Sequence, residues 1–176
     1  RVRARQGVVL ATGGFEWNKE LVDTFLRGPL TGPVSVPECD GDGLLMAIEA
    51  GAKLGNMQNA WWMQSVLEKK VEHRDAKPNY LLGSDERARP GAILVNRAGK
   101  RFVNEADGYY DYAAAMVAKA PDGQEVASWL ICDHRFQRRY GLGYARPFPI
   151  PVGPSVRNGY LQRADSIEAL AQVCGI

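Results

Sequence analysis

Residues 89–111 read R-P-G-A-I-L-V-N-R-A-G-K-R-F-V-N-E-A-D-G-Y-Y-D, and this stretch decides how the fold is read. Residues 92–95 are a short apolar run, 96–99 supply turn chemistry, and 101–103 begin a second strand. The expectation is a hairpin that delivers Asn104 and Glu105 to its far end, then a polar loop and an Ala-rich helix over 110–119. Taken alone, the segment is equally a plain hairpin in any small α+β unit.

Upstream, residues 7–11 (G-V-V-L-A) form a continuous apolar run that suits a strand buried on both faces. The run passes directly into Thr12, Gly13, Gly14 and Phe15. Paired glycines there let the backbone approach something flat or charged, or simply make a strand-to-helix turn. A helix follows from about Asn18 to residue 27, with Leu21, Val22, Phe25 and Leu26 on one face. Gly41, Asp42 and Gly43 then open a helix running to about residue 54, whose first-turn amides suit an anion or a hydroxyl-rich ligand. Asp42 reads as well as the N-cap of that helix.

In this order, A-T-G-G-F-E (11–16), G-D-G-L-L-M-A-I-E-A-G-A (41–52), A-W-W (60–62) and G-A-I-L-V-N-R-A-G-K-R-F-V-N-E (91–105) resemble the flavoprotein family of fumarate reductases and 3-ketosteroid dehydrogenases. The resemblance spans nearly the whole chain. Trp61, Trp62 and the tyrosine beyond Asn104-Glu105 are most similar to the 3-ketosteroid Δ1-dehydrogenase branch, as are Trp129 to Asp133, Arg139-Tyr140 and residues 164–171. It implies an α+β cap, the substrate or catalytic domain of the succinate dehydrogenase/fumarate reductase flavoprotein type, with a short piece of a Rossmann-like FAD domain. On that reading residues 1–56 are partial FAD-binding domain and linker, and 57–176 are the cap. Strands are expected at 57–63, 92–95, 101–103, 127–132 and 160–162, and helices at 110–119, 134–140 and 166–173. Asp165 is expected to cap the last helix and Gly175 to end it. The proline-rich 147–154 reads as an extended loop, and 69–78 as a charged surface connector.

The resemblance also assigns chemistry. Desaturating a carbon–carbon bond beside a ketone removes an α-proton and a neighbouring hydride; FAD takes the hydride, so the protein supplies a base. The family's tyrosine beyond R-F-V-N-E holds that role, and Tyr109 is the matching residue here, with Tyr110 a one-residue ambiguity. Both tyrosines are otherwise plain packing or capping groups for the following helix. Fumarate reductases carry an arginine proton donor at this place, and no arginine stands between Arg101 and Arg135. Thr12, Gly13, Gly14 and Phe15 match the stretch lying against the flavin, and Asp42 matches an acidic flavin contact. Trp62 and Tyr110 are candidates to line a pocket for a rigid hydrocarbon substrate, with at most one of Trp61 and Trp62 facing it. Arg101 and Glu105 read as an ion pair fixing the hairpin end.

The activity implied is desaturation of a 3-ketosteroid-like cyclic ketone. The alternatives are a fumarate-reductase-like enzyme reducing an enoate or enone, and a non-catalytic fragment that binds a ligand or partner. The 141–159 passage is less like the steroid branch than its flanks, which leaves the substrate open.

Bulk properties agree with a small-molecule enzyme. The chain has 176 residues, 45% hydrophobic and 24% charged, with a net charge of +2 and dispersed basic residues, so there is no nucleic-acid footprint. No apolar stretch approaches the roughly 20 residues of a membrane span. Three cysteines without metal-ligand spacing imply a reducing, cytoplasmic setting and no structural metal. The chain lacks an initiator Met and contains no G-x-G-x-x-G, so it reads as an internal part of a longer flavoprotein. The purified 176-residue chain is therefore expected to be colourless, because the few remaining contacts do not offset the entropic cost of holding FAD. Stoichiometric flavin absorbance after gel filtration would refute this.

Overall fold

β3 (Ala92–Asn96) has a partner on each edge, a strand distant in sequence on one and the start of a hairpin on the other. In the computed structural model, β3 pairs antiparallel with β4 (Ser128–Cys132), from Ala92↔Cys132 to Asn96↔Ser128. The strand expected at 101–103 is reduced to a single bridge, Val95↔Arg101. The reason is a side chain. Asn96 N–H donates to the Lys100 carbonyl at 2.9 Å as a hairpin ladder begins, but the Leu94 N–H donates at 2.9 Å to Oε1 of Glu105. The carboxylate thus takes a donor on which the ladder would continue. The structure describes residues 3–26, 28, 30, 33–72, 78–82, 85–120 and 126–176.

The turn itself is organised by Asn96, whose side chain is buried. Its Oδ1 accepts from the Ala98 and Lys100 amides at 3.0 Å each, and its Nδ2 donates to the Lys119 carbonyl at 3.0 Å. Gly99 has φ +69°, and a Cβ there would sit 2.7 Å from Cγ2 of Ile176. Gly99→Val is accordingly expected to lower stability by roughly 1 kcal/mol or more, through left-handed backbone strain and that clash. An unchanged thermal melting curve would count against the turn's role.

Two compact units divide the chain: Arg1–Ala60 with Lys70–Tyr80, and Trp61–Lys69 with Leu81–Ile176. In the first, α1 (Lys19–Phe25) is capped by Asn18, whose Oδ1 accepts from the Leu21 amide at 3.2 Å, and it buries Leu21 and Val22. Next, α2 (Asp42–Glu49) ends five residues short of the expected 54, since the chain leaves the helix through Ala50 and a left-handed Gly51. Its N-cap is Gly41, not Asp42, which is the first helical residue. Residues 7–11 form no strand and lie open, with Val9 91% exposed. A strand buried on both faces needs ladder partners on both sides, and the described residues provide none here.

β1 (Ser65–Glu72) and β2 (Pro78–Leu82) make a two-stranded sheet, so the expected charged connector is partly strand; residues 73–77 lie outside those described. The same holds for 27, 29, 31 and 32 in the Gly/Pro-rich passage. Residues 57–63, expected as a strand, are irregular, as are 160–162.

The core of the second unit joins β3 to α3 (Tyr109–Ala118): Leu94, Tyr112 and Ala113 are buried together, with Trp62, Phe102, Val103, Met116 and Leu130 packed around them. At the end of β4, Asp133 Oδ1 accepts from the Phe136 amide at 2.7 Å and starts α4 (His134–Tyr140). The proline-rich loop is interrupted by one helical turn, α5 (Gly153–Arg157), because Pro154 stands near its start, where a missing N–H costs nothing. Last, α6 (Ile167–Cys174) is capped by the Ser166 hydroxyl, which accepts from the Ala169 amide at 3.1 Å, one residue later than the expected Asp165. Gly175 ends it at φ +71°.

Candidate active site

The residues expected to touch the cofactor lie in the first unit, and those expected to handle the proton lie in the second. In the first unit, Thr12–Phe15 and the start of α2 come together. Gly43 is buried, and a Cβ on it would stand 1.9 Å from Oγ1 of Thr12, so only glycine permits this approach. The Trp17 amide donates to the Cys39 carbonyl at 3.1 Å, and Asn18 donates to the Phe15 carbonyl at 2.9 Å, closing the turn after the glycines. Phe15 meets Phe25 edge-on with ring centres 6.0 Å apart.

This packing leaves Thr12, Gly13, Gly14 and Asp42 exposed, next in sequence to the open apolar residues Val8–Leu10. A side-chain-poor backbone edge, a hydroxyl, a carboxylate and an adjoining apolar run suit a flavin, which has a flat apolar face and a polar rim. Phe15 is half-buried and turns into the protein's own packing.

In the second unit, Tyr109 and Tyr110 are the first two residues of α3 and are 42% and 41% exposed. Their neighbour Tyr112 does the packing. It is 2% exposed, its hydroxyl lies 3.0 Å from Ser128 Oγ, and its ring lies 6.0 Å from that of Phe102. Burial pushes the Tyr112 phenol above its ordinary pKa, against the opposing Ser128 hydrogen bond and the Arg87 charge. Tyr112 is therefore unsuited to act as a base, while the phenols of Tyr109 and Tyr110 stand open to a ligand.

The segment leading to Tyr109 is tied down. Arg101 grips Glu105 through Nε to Oε1 at 2.9 Å and Nη2 to Oε2 at 2.5 Å, as the sequence implied. The Arg101 hydrogen bond holds the Glu105 carboxyl at about 2, against the cost of burial, with the Leu94 amide helping. Asn104 Nδ2 donates to Asp107 Oδ1 at 3.0 Å, and Gly108 precedes the helix. Sequence reasoning missed Arg87, Tyr112 and the β3–β4 pairing, since none carries a local motif.

Trp62 is half-buried against the core around Leu94 and Tyr112, whereas Trp61 is 87% exposed. The three cysteines are free and half-buried, and burial raises the Cys132 thiol to about 11. Among the described residues no group of three His, Cys, Asp or Glu side chains is placed to hold a metal, and no helix is long and apolar enough to cross a membrane.

A family profile described as FAD binding domain matches residues 1–165. The chain belongs to this FAD-binding family. It is 34% identical over 182 residues to the 3-oxosteroid 1-dehydrogenase of Mycobacterium tuberculosis, covering 99% of this chain and 31% of that protein. To the 4-oxocyclohex-2-ene-1-carboxylate 5-dehydrogenase of Sinomonas cyclohexanicum it is 32% identical over 182 residues, covering 100% and 30%. The crystal structure of 3-ketosteroid delta1-dehydrogenase from Sterolibacterium denitrificans in complex with 1,4-androstadiene-3,17-dione superposes with a TM-score of 0.78 at 31% identity, covering 98% of this chain and 30% of that one. The chain thus spans about three tenths of the length of these FAD-family relatives.

Proposed function

We propose that this chain is the cap-domain portion, with an attached piece of the FAD domain, of an enzyme that desaturates a 3-ketosteroid-like or smaller cyclic ketone. The observation that carries the reading is the division of labour on α3: Tyr112 supplies the packing, and Tyr109 stands exposed at the end of a pinned segment. The relatives named above act on 3-oxosteroids and on a 4-oxocyclohexene carboxylate, which share a cyclic ketone.

When bound, FAD supplies the two-electron acceptor of the reaction. Thr12, Gly13, Gly14 and Asp42 hold it, Phe15 supports their turn, and Tyr109 takes the proton from the carbon next to the ketone. Trp62 and Tyr110 help to exclude water from the substrate. The absence of an arginine between Arg101 and Arg135 weighs against fumarate-type reduction, in which a cation donates the proton.

The test is a screen of the full-length protein on 3-ketosteroids, monocyclic ketones and enoates, with an artificial electron acceptor or donor. Desaturation of a cyclic ketone is the expected result. Turnover of enoates alone would replace this reading with the reductase one, and no turnover with normal flavin content would favour a binding role.

A further inference from the structure

Arg87 is a buried cation that neither the reaction nor the core explains. It sits in the 3₁₀ turn Asp85–Ala88 with its side chain buried. Its Nη1 donates to the main-chain carbonyls of Glu105 and of Asp107, the latter at 2.8 Å, across 18 and 20 residues of sequence. The guanidinium carbon lies 5.1 Å from the centre of the Tyr112 ring. Its Nε is buried with no hydrogen-bond partner among the described residues. Burying a charged group this way is costly, and each such orphan calls for a reason.

The two carbonyls it holds belong to the loop between the Arg101–Glu105 ion pair and the first turn of α3. Glu105 is thereby held from both sides, its carboxylate by Arg101 and the Leu94 amide and its carbonyl by Arg87. Asp107 O is the last of these fixed points before Gly108 and Tyr109. Tyr112, one turn along α3, is fixed by the same guanidinium through its ring. One planar cation therefore ties the loop before Tyr109 to the helix that Tyr109 begins.

We propose that Arg87 is a positioning residue for Tyr109, setting where the phenol stands through the Glu105–Asp107 loop. The inference rests on the reading of Tyr109 as the base. A lysine would keep the charge, but its ammonium lacks the flat guanidinium that lies over the Tyr112 ring while one of its nitrogens donates to both carbonyls. A misplacement on the order of 1 Å of a reacting group costs about 10²-fold in rate.

The experiment compares Arg87→Lys and Arg87→Gln with the unchanged full-length holoenzyme, reading kcat and KM, flavin content, and hydrogen–deuterium exchange. Both variants are expected to lose kcat by roughly ten- to a hundredfold with KM and flavin content little changed. Amides of 104–110 should exchange faster while those of β3 and β4 keep their protection. Unchanged kcat, or faster exchange throughout the unit with loss of flavin in both variants, overturns the proposal by making Arg87 dispensable or merely structural. The exchange result does not depend on the chemistry, so local loosening with normal kcat would refute positioning while leaving the dehydrogenase reading intact. If Tyr109→Phe turns over normally, the base assignment fails instead.

Discussion

In the full-length protein, Tyr109→Phe is expected to lose turnover by about 10²- to 10⁴-fold while flavin content and melting temperature stay close to those of the parent. The phenolic oxygen is the only group removed, and at 42% exposure the side chain contributes little to the core. Tyr110→Phe, equally exposed and one residue on, is the control and is expected to be mild. Tyr112→Phe should behave in the opposite manner to Tyr109→Phe: the Ser128 hydrogen bond goes, stability falls, and chemistry persists. Reduction of bound flavin by substrate, followed by bleaching in a stopped-flow instrument, separates these cases. If the first two variants exchange behaviour, the base is Tyr110; if neither slows bleaching, the tyrosine-base mechanism is to be abandoned.

Glu105→Gln is expected to destabilise the second unit by about 1–3 kcal/mol, the cost of leaving buried hydrogen-bonding groups unpaired. The carboxylate receives both Arg101 and the Leu94 amide, and a neutral amide cannot receive both as well. The pH dependence identifies the cause. Glu105 is held at about 2 in the folded chain against an ordinary 4.5, so the unfolded chain takes up its proton first as pH falls. Its contribution is therefore full above 4.5, shrinks through the acid range, and is gone below about 2. Denaturant midpoints at about pH 3 and about pH 6 should converge for parent and variant at the acid end. A constant difference at both would mean that Glu105 acts by shape and not by charge.

Much of the site's local structure was legible in advance because its causes are local. Asn18 and Asp133 accept amide hydrogens three residues ahead, so α1 and α4 start where side-chain chemistry says they should. Gly99 and Asn96 close their turn within five residues. The Arg101–Glu105 pair spans four. The caps expected at Asp42 and Asp165 each fall one residue away, at Gly41 and Ser166, since either neighbour can start a helix.

Tertiary structure decided the rest, for reasons no window of sequence contains. Residues 92–96 had to pair with something: on one edge it is β4, far along the chain, while on the other Glu105 takes the Leu94 amide and the nearer ladder stops after a single bridge. Residues 7–11 have the composition of a buried strand but lie open in this chain, where no described strand pairs with them. Three tyrosines in four positions read alike as letters; only the packing of Tyr112 against Leu94, Phe102 and Arg87 separates it from the two left facing outward. Helix starts and turns are settled by hydrogen bonds over a few residues, whereas the roles of Arg87, Glu105 and Tyr112 depend on which distant surfaces exclude water from one another.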